Sequence, residues 1–161
     1  MQKLLNDLKE TFPKLRFHEA DRFYWSPHTK EIFYNQKAKG RVDEWSLLHE
    51  VGHALLEHSH YDADFMLVRL EIEAWQKAKD IAGIFGMSID ENHIQDCLDT
   101  YRDWLYKRSI CPNCSNKSFQ QSDFSHYRCF NCHKQWRVTT SRFCRTYRMS
   151  DDTVVNQPVF I

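Results

Sequence analysis

The sequence predicts an α+β protein, a small antiparallel sheet with helices, followed by a short appendage held together by four cysteines. Three observations predict it. Segments with helical apolar spacing flank one aromatic, β-branched stretch with a turn in its middle. A buried-looking helix carries His-Glu-x-x-His. The last third of the chain changes composition abruptly and contains two C-x-x-C pairs.

The elements follow in order. "QKLLNDLKETF" places Leu4, Leu5, Leu8 and Phe12 at helical spacing, and Pro13 ends it. "KLRFHEADRFYWSPHTKEIFYN" is rich in strand-forming residues, and Ser26 to Lys30 is a turn signal, so two or three short strands are expected, with "EIFYN" last. Residues 37–40 form a polar loop. Asp43 can cap the next helix, which is expected to run to about His58. A second long helix is expected over Asp64–Phe85. A third covers Asp90–Lys107, with Ile94, Cys97, Leu98, Tyr101 and Leu105 on one stripe. The break at "RSICPNC" divides the chain into residues 1–108, 109–149 and a tail of 150–161.

The chain has 161 residues and a formal net charge of zero, but the charge is divided. Residues 1–100 carry 12 Lys+Arg against 18 Asp+Glu, whereas 101–150 carry 10 against 2. The basic part is a candidate contact for nucleic acid. No apolar run reaches the length of a membrane span, and the N-terminal segment does not read as a signal peptide, so a reducing cytoplasm and no membrane partner are expected.

On a helix, His49 and His53 lie one turn apart on one face, with Glu50 beside them. Two imidazoles can bind zinc while the carboxylate takes a proton from water whose pKa the metal has lowered from about 15.7 toward about 7. The flanks Leu47, Leu48, Val51, Ala54 and Leu55 mark a buried helix. Gly52 costs about 1 kcal/mol relative to Ala in a helix interior, which suggests that something packs close to its backbone. A third ligand is required. On the second long helix Leu67, Leu70, Ala74, Ala78, Ile81 and Phe85 form a stripe, and Glu71 falls inside it. A carboxylate facing a core is costly unless paired or metal-bound, so Glu71 is the expected ligand. Glu73, at the edge of the stripe, is the alternative; it reads as a solvated carboxylate or one that supports a ligand histidine.

"HEVGHALLEH" followed by "EIEAWQKA" resembles the ImmA/IrrE-type metallopeptidases, a zincin-fold group, over roughly residues 15–85. The resemblance implies a zincin-like core with His49, His53 and Glu71 as zinc ligands and Glu50 as general base. It makes Ala74 and Ala78 the small residues that let two helices approach. It makes "EIFYN" an edge strand for a peptide, and implies a regulatory protein such as a repressor as the substrate. The chain departs from the family pattern at Trp75 and Lys77. SprT-like proteases, which join His-Glu-x-x-His to a zinc ribbon and act on DNA-bound protein, are the alternative. They need a third histidine, for which His58 and His60 are the candidates. A non-enzymatic zinc-ribbon binding module is a further alternative.

Cys111, Cys114, Cys129 and Cys132 form C-x₂-C-x₁₄-C-x₂-C, the spacing of a closed, structural four-thiolate zinc ribbon. One catalytic and one structural zinc are therefore expected. Cys97 reads as a core thiol, and Cys144 falls outside the pattern. Trp136, Phe143 and Tyr147 interleave with Arg137, Arg142, Arg145 and Arg148, a composition suited to stacking bases and binding phosphate.

Overall fold

The structure, a computed structural model, describes residues 1–139 and the backbone of 148–150. Four helices and seven short strands are present among them. Two compact units divide the chain: Met1–Tyr61 with Leu67–Leu98, and Asp62–Met66 with Asp99–Ile161. Arg108 is buried in the second unit.

In the first unit, α1 (Gln2–Thr11) buries Leu4, Leu5 and Leu8, the face its spacing predicts. Three short strands follow, β1 (Phe17–Glu19), β2 (Tyr24–Ser26) and β3 (Glu31–Tyr34). Their order is β1-β3-β2, with β1 parallel and β2 antiparallel to β3. The sheet is therefore mixed rather than antiparallel. "EIFYN" contains the central strand, with neighbours on both sides, so it is not the edge expected from the family resemblance. The edge reached through the Ser26–Lys30 turn is β2. β3 is central because Ile32 and Tyr34 alternate inward to the core.

Helix α2 (Arg41–Leu55) begins two residues before Asp43, whose Oδ2 accepts the Gly40 N–H at 2.8 Å. Asp43 thus caps from inside the first turn. Leu47, Leu48 and Val51 are fully buried, each such side chain contributing about 1.5–3 kcal/mol. Helix α3 (Asp64–Ile84) and helix α4 (Glu91–Ser109) match their expected spans closely. After α3, Gly86 takes a positive φ of 65°, and the Met87 N–H returns to the Ala82 carbonyl at 2.9 Å. Cys97 packs partly buried against the core, as expected of a core thiol.

The second unit contains β4 (Phe119–Gln120), β5 (His126–Arg128), β6 (Gln135–Val138) and β7 (Arg148–Ser150) in one antiparallel sheet in chain order. Its interior holds an ionic cluster. Arg108 Nε and Nη2 donate to the two Asp64 oxygens at 2.6 and 3.1 Å, and the Tyr127 hydroxyl donates to Asp64 Oδ2 at 2.7 Å. The Arg108 guanidinium lies 4.4 Å from the centre of the Trp104 ring, and Trp136 Nε1 donates to the Arg108 carbonyl at 3.0 Å. Burial and the Asp64 carboxylate push the Tyr127 hydroxyl well above its usual range, so it stays a donor. No helix among the described residues is long and apolar enough to cross a membrane.

Candidate metal centres

The helical repeat brings His49 and His53 to one face of α2, and α3 presents Glu71 to the same point. His49 Nε2 lies 3.1 Å from His53 Nε2 and 3.1 Å from Glu71 Oε2, and His53 Nε2 lies 3.6 Å from that oxygen. His49 and Glu71 are buried. Three lone-pair donors are thus crowded at a spot where only a cation or shared protons can reconcile them. Two imidazole nitrogens and one carboxylate oxygen, all within 4.8 Å of one another, could hold a metal ion. Burial pushes the Glu71 carboxyl up, but hydrogen bonds and charge from His49 and His53 outweigh it and hold the group well below the usual carboxylate range.

The approach of the two helices depends on Gly52. A Cβ at this position would lie 2.5 Å from the backbone oxygen of Ala74, which itself is fully buried. The close contact that the glycine suggests is therefore with the backbone of the helix carrying Glu71. Trp75 stacks on the His49 ring with centroids 4.2 Å apart. It lies four residues after Glu71 and so on the same face, which is the signal that could have found it.

Glu50 does not join the ligands. Its Oε2 accepts the Trp25 backbone N–H at 2.7 Å, which fixes the carboxylate between α2 and the edge strand β2. The Trp25 indole donates to the His58 carbonyl at 2.7 Å.

His58 contacts the other side of the His53 ring, Nδ1 to Nδ1 at 2.9 Å. With a metal bound at His53 Nε2, the ring proton would sit on Nδ1 and would be donated to His58. The proton of a neutral His58 then lies on Nε2, which faces Glu73 Oε2 at 3.5 Å, and Glu73 is held by Arg69 at 2.7 Å. Burial and the neighbouring His53 lower the His58 pKa and favour that neutral form. Glu73 thus reaches the candidate ligand His53 only through His58. His58→Ala is expected to weaken metal binding at this site about 10- to 100-fold without unfolding the chain, as read by chelator competition. His60 is exposed, with Nδ1 3.2 Å from the hydroxyl of its neighbour Ser59. Neither His58 nor His60 reaches the point shared by His49, His53 and Glu71.

Cys111, Cys114, Cys129 and Cys132 converge in the second unit, all four sulfurs within 4.8 Å of one another. Cys111–Cys132 and Cys114–Cys129 are 3.5 and 3.4 Å apart. A tetrahedron with metal–sulfur bonds of about 2.3 Å has edges of about 3.8 Å, so the thiols fit a four-coordinate metal. The two knuckles are built alike. Ser115 and His133, each just after the second cysteine, have φ near 59° and 58°, and their N–H groups return to the Cys111 and Cys129 carbonyls. Burial pushes the Cys111 thiol up to about 11. Amide donors, led by the Asn116 and Cys132 N–H groups, lower Cys114 and Cys129; for Cys132 the Asn113 side chain is the main cause.

Trp136 is not an exposed stacking platform. It is fully buried and lies parallel to Tyr127, with centroids 5.6 Å apart. Arg142, Phe143, Cys144, Arg145 and Tyr147 lie outside the described residues, as does the Arg148 side chain. No family model, curated protein or solved structure matches the chain, and the chemistry of both centres rests on their own geometry.

Proposed function

We propose that the protein is a zinc-dependent endopeptidase with a second, structural zinc in its four-cysteine unit. The observation that carries this reading is the division of labour in one helical turn: His49 and His53 converge with Glu71, while Glu50 stays out and is held by a backbone amide. A purely structural site has no need of such a carboxylate. Zinc held by His49, His53 and Glu71 would polarise the scissile carbonyl and lower the pKa of the attacking water. Glu50 takes the proton from that water and delivers it to the departing amine. The Trp25 N–H holds Oε2 and leaves the other oxygen for the proton. Trp75 against His49, and His58 against His53, hold the ligand rings in position.

The substrate is a protein, and by resemblance to the ImmA/IrrE-type peptidases it is a regulatory one such as a repressor. An extended substrate segment would lie along the free edge of β2, the strand whose amide reaches Glu50. The SprT-like reading is the weaker one, because the third donor is Glu71 rather than a histidine.

Glu50→Gln tests this function. The amide keeps the shape but cannot accept the proton. Zinc content and melting temperature are expected to stay near wild type, while cleavage of a quenched-fluorophore peptide library falls at least 100-fold. Wild-type turnover in this variant would remove Glu50 as the base, and absence of any chelator-sensitive cleavage by the wild type would favour the binding-module alternative.

A further inference from the structure

The outer face of the cysteine unit carries two exposed aromatic rings among cations. Phe119 is 72 % and Phe130 66 % exposed, and their rings meet edge to face with centroids 5.7 Å apart. Cross-strand register orders the rest. Phe119 pairs with Arg128 on β5, and His126 pairs with Arg137 on β6. Directly paired residues, and residues two apart on a strand, share a face. Phe119, His126, Arg128 and Arg137 therefore lie together, while Tyr127, Trp136 and Val138 fill the opposite, buried face. Lys117, bridged to Ile110 just before β4, holds its ammonium 5.1 Å from the centre of the Tyr106 ring and is not counted on this face.

We propose that this face binds single-stranded nucleic acid, with bases stacked on Phe119 and Phe130 and phosphates on Arg128 and Arg137. Charge complementarity chooses this occupant. Residues 109–139 contain Lys117, Arg128, Lys134 and Arg137 against Asp123, and a zinc on the four thiolates would add −2, leaving about +1, so the placement of cations on this face rather than net charge carries the argument. Asp123 is already engaged, its Oδ2 lying 2.6 Å from His126 Nδ1. Neither Arg128 nor Arg137 forms an ion pair among the described residues, so both guanidinium groups can take phosphate. Among the residues whose side chains are described, the face has no aliphatic member, whereas an apolar protein partner needs a buried centre of such groups. Exposed rings on a sheet suit splayed bases, which a duplex does not offer. The site is independent of the peptidase reading and of the His49–Glu71 centre.

The test uses the full chain and a fluorescein-labelled mixed-sequence DNA strand of about 20 nucleotides, longer than most single-fold sites. Anisotropy is followed over a salt series, with the corresponding duplex as comparison. The single strand is expected to bind more tightly than the duplex. Phe119→Ala and Phe130→Ala are each expected to weaken it roughly ten-fold. Arg128→Gln and Arg137→Gln are each expected to reduce the log–log salt slope by about 0.7. The double variant Phe119→Leu, Phe130→Leu keeps apolar bulk but has no ring, and should lose affinity as the alanine variants do. Phe119, Phe130 and Arg137 are exposed and Arg128 is half-buried, and none is a candidate metal ligand, so every variant should keep its metal content. No binding at the lowest salt, equal binding of duplex, or wild-type binding by the leucine double variant would each overturn the proposal.

Discussion

Glu71→Ala is expected to remove one of two metal equivalents per chain and to leave the other in place. The wild-type protein should contain two zinc ions by elemental analysis, one at His49, His53 and Glu71 and one at the four cysteines. Glu71 supplies the single anionic donor of the first site, and two neutral imidazoles alone do not make a zinc centre. Its loss also strips His49 of its buried hydrogen-bond partner and His53 of a carboxylate oxygen 3.6 Å away. The four thiols belong to the other compact unit and should hold their metal unchanged. Cys129→Ser is the reciprocal variant: it should empty the cysteine site and destabilise its sheet, whose small core contains Cys111, Cys129, Tyr127 and Trp136. One equivalent in the wild type, insensitive to Glu71→Ala, would end the two-centre reading.

Gly52→Ala has the second large expected effect. By helix propensity alone the change would stabilise α2 by about 1 kcal/mol. Packing opposes it. The added methyl would stand 2.5 Å from the Ala74 oxygen, and the obstacle is backbone, which cannot swing aside. α2 and α3 would have to part by roughly 1 Å to regain ordinary contact, at a cost of about 1–3 kcal/mol or more. One helix carries both histidines and the other carries Glu71, so the separation opens the ligand triangle. A lower melting temperature and loss of the first metal equivalent, with the cysteine site intact, are expected from thermal denaturation and elemental analysis. A variant that melts higher and keeps both ions would mean that the helices do not constrain the site.

The legible parts of this fold were those with a local signal. Spacing placed Leu4, Leu5 and Leu8 inward, and the stripe on α3 placed Glu71 rather than Glu73 at the histidines. Gly52 announced a close neighbour, and the cysteine spacing placed four thiols together. What was missed depends on partners distant in the chain. Nothing in "EIFYN" says that β1 pairs with it in parallel and makes it central. The donor that holds Glu50 is a main-chain amide at Trp25, and an amide has no residue type to read. Trp136 sits among arginines and looked exposed, but alternation along β6 sends it inward against Tyr127 while Arg137 points out. Arg108 near the end of α4 carried no local signal, because its carboxylate partner lies 44 residues earlier.

That last separation orders events during synthesis. Asp64 leaves the ribosome 44 residues before Arg108 and 63 before Tyr127. At 5–20 residues per second the carboxylate waits about 2–9 s for its arginine and about 3–13 s for its tyrosine. Until then it remains hydrated, because burying it alone would be prohibitive. His49, His53 and Glu71 are all made within the first half of the chain, and the unit that contains them is fully synthesised at Leu98. The nascent chain can therefore assemble its first ligand set while Asp64 is still in water, and the cysteine unit closes only after Cys132 has emerged.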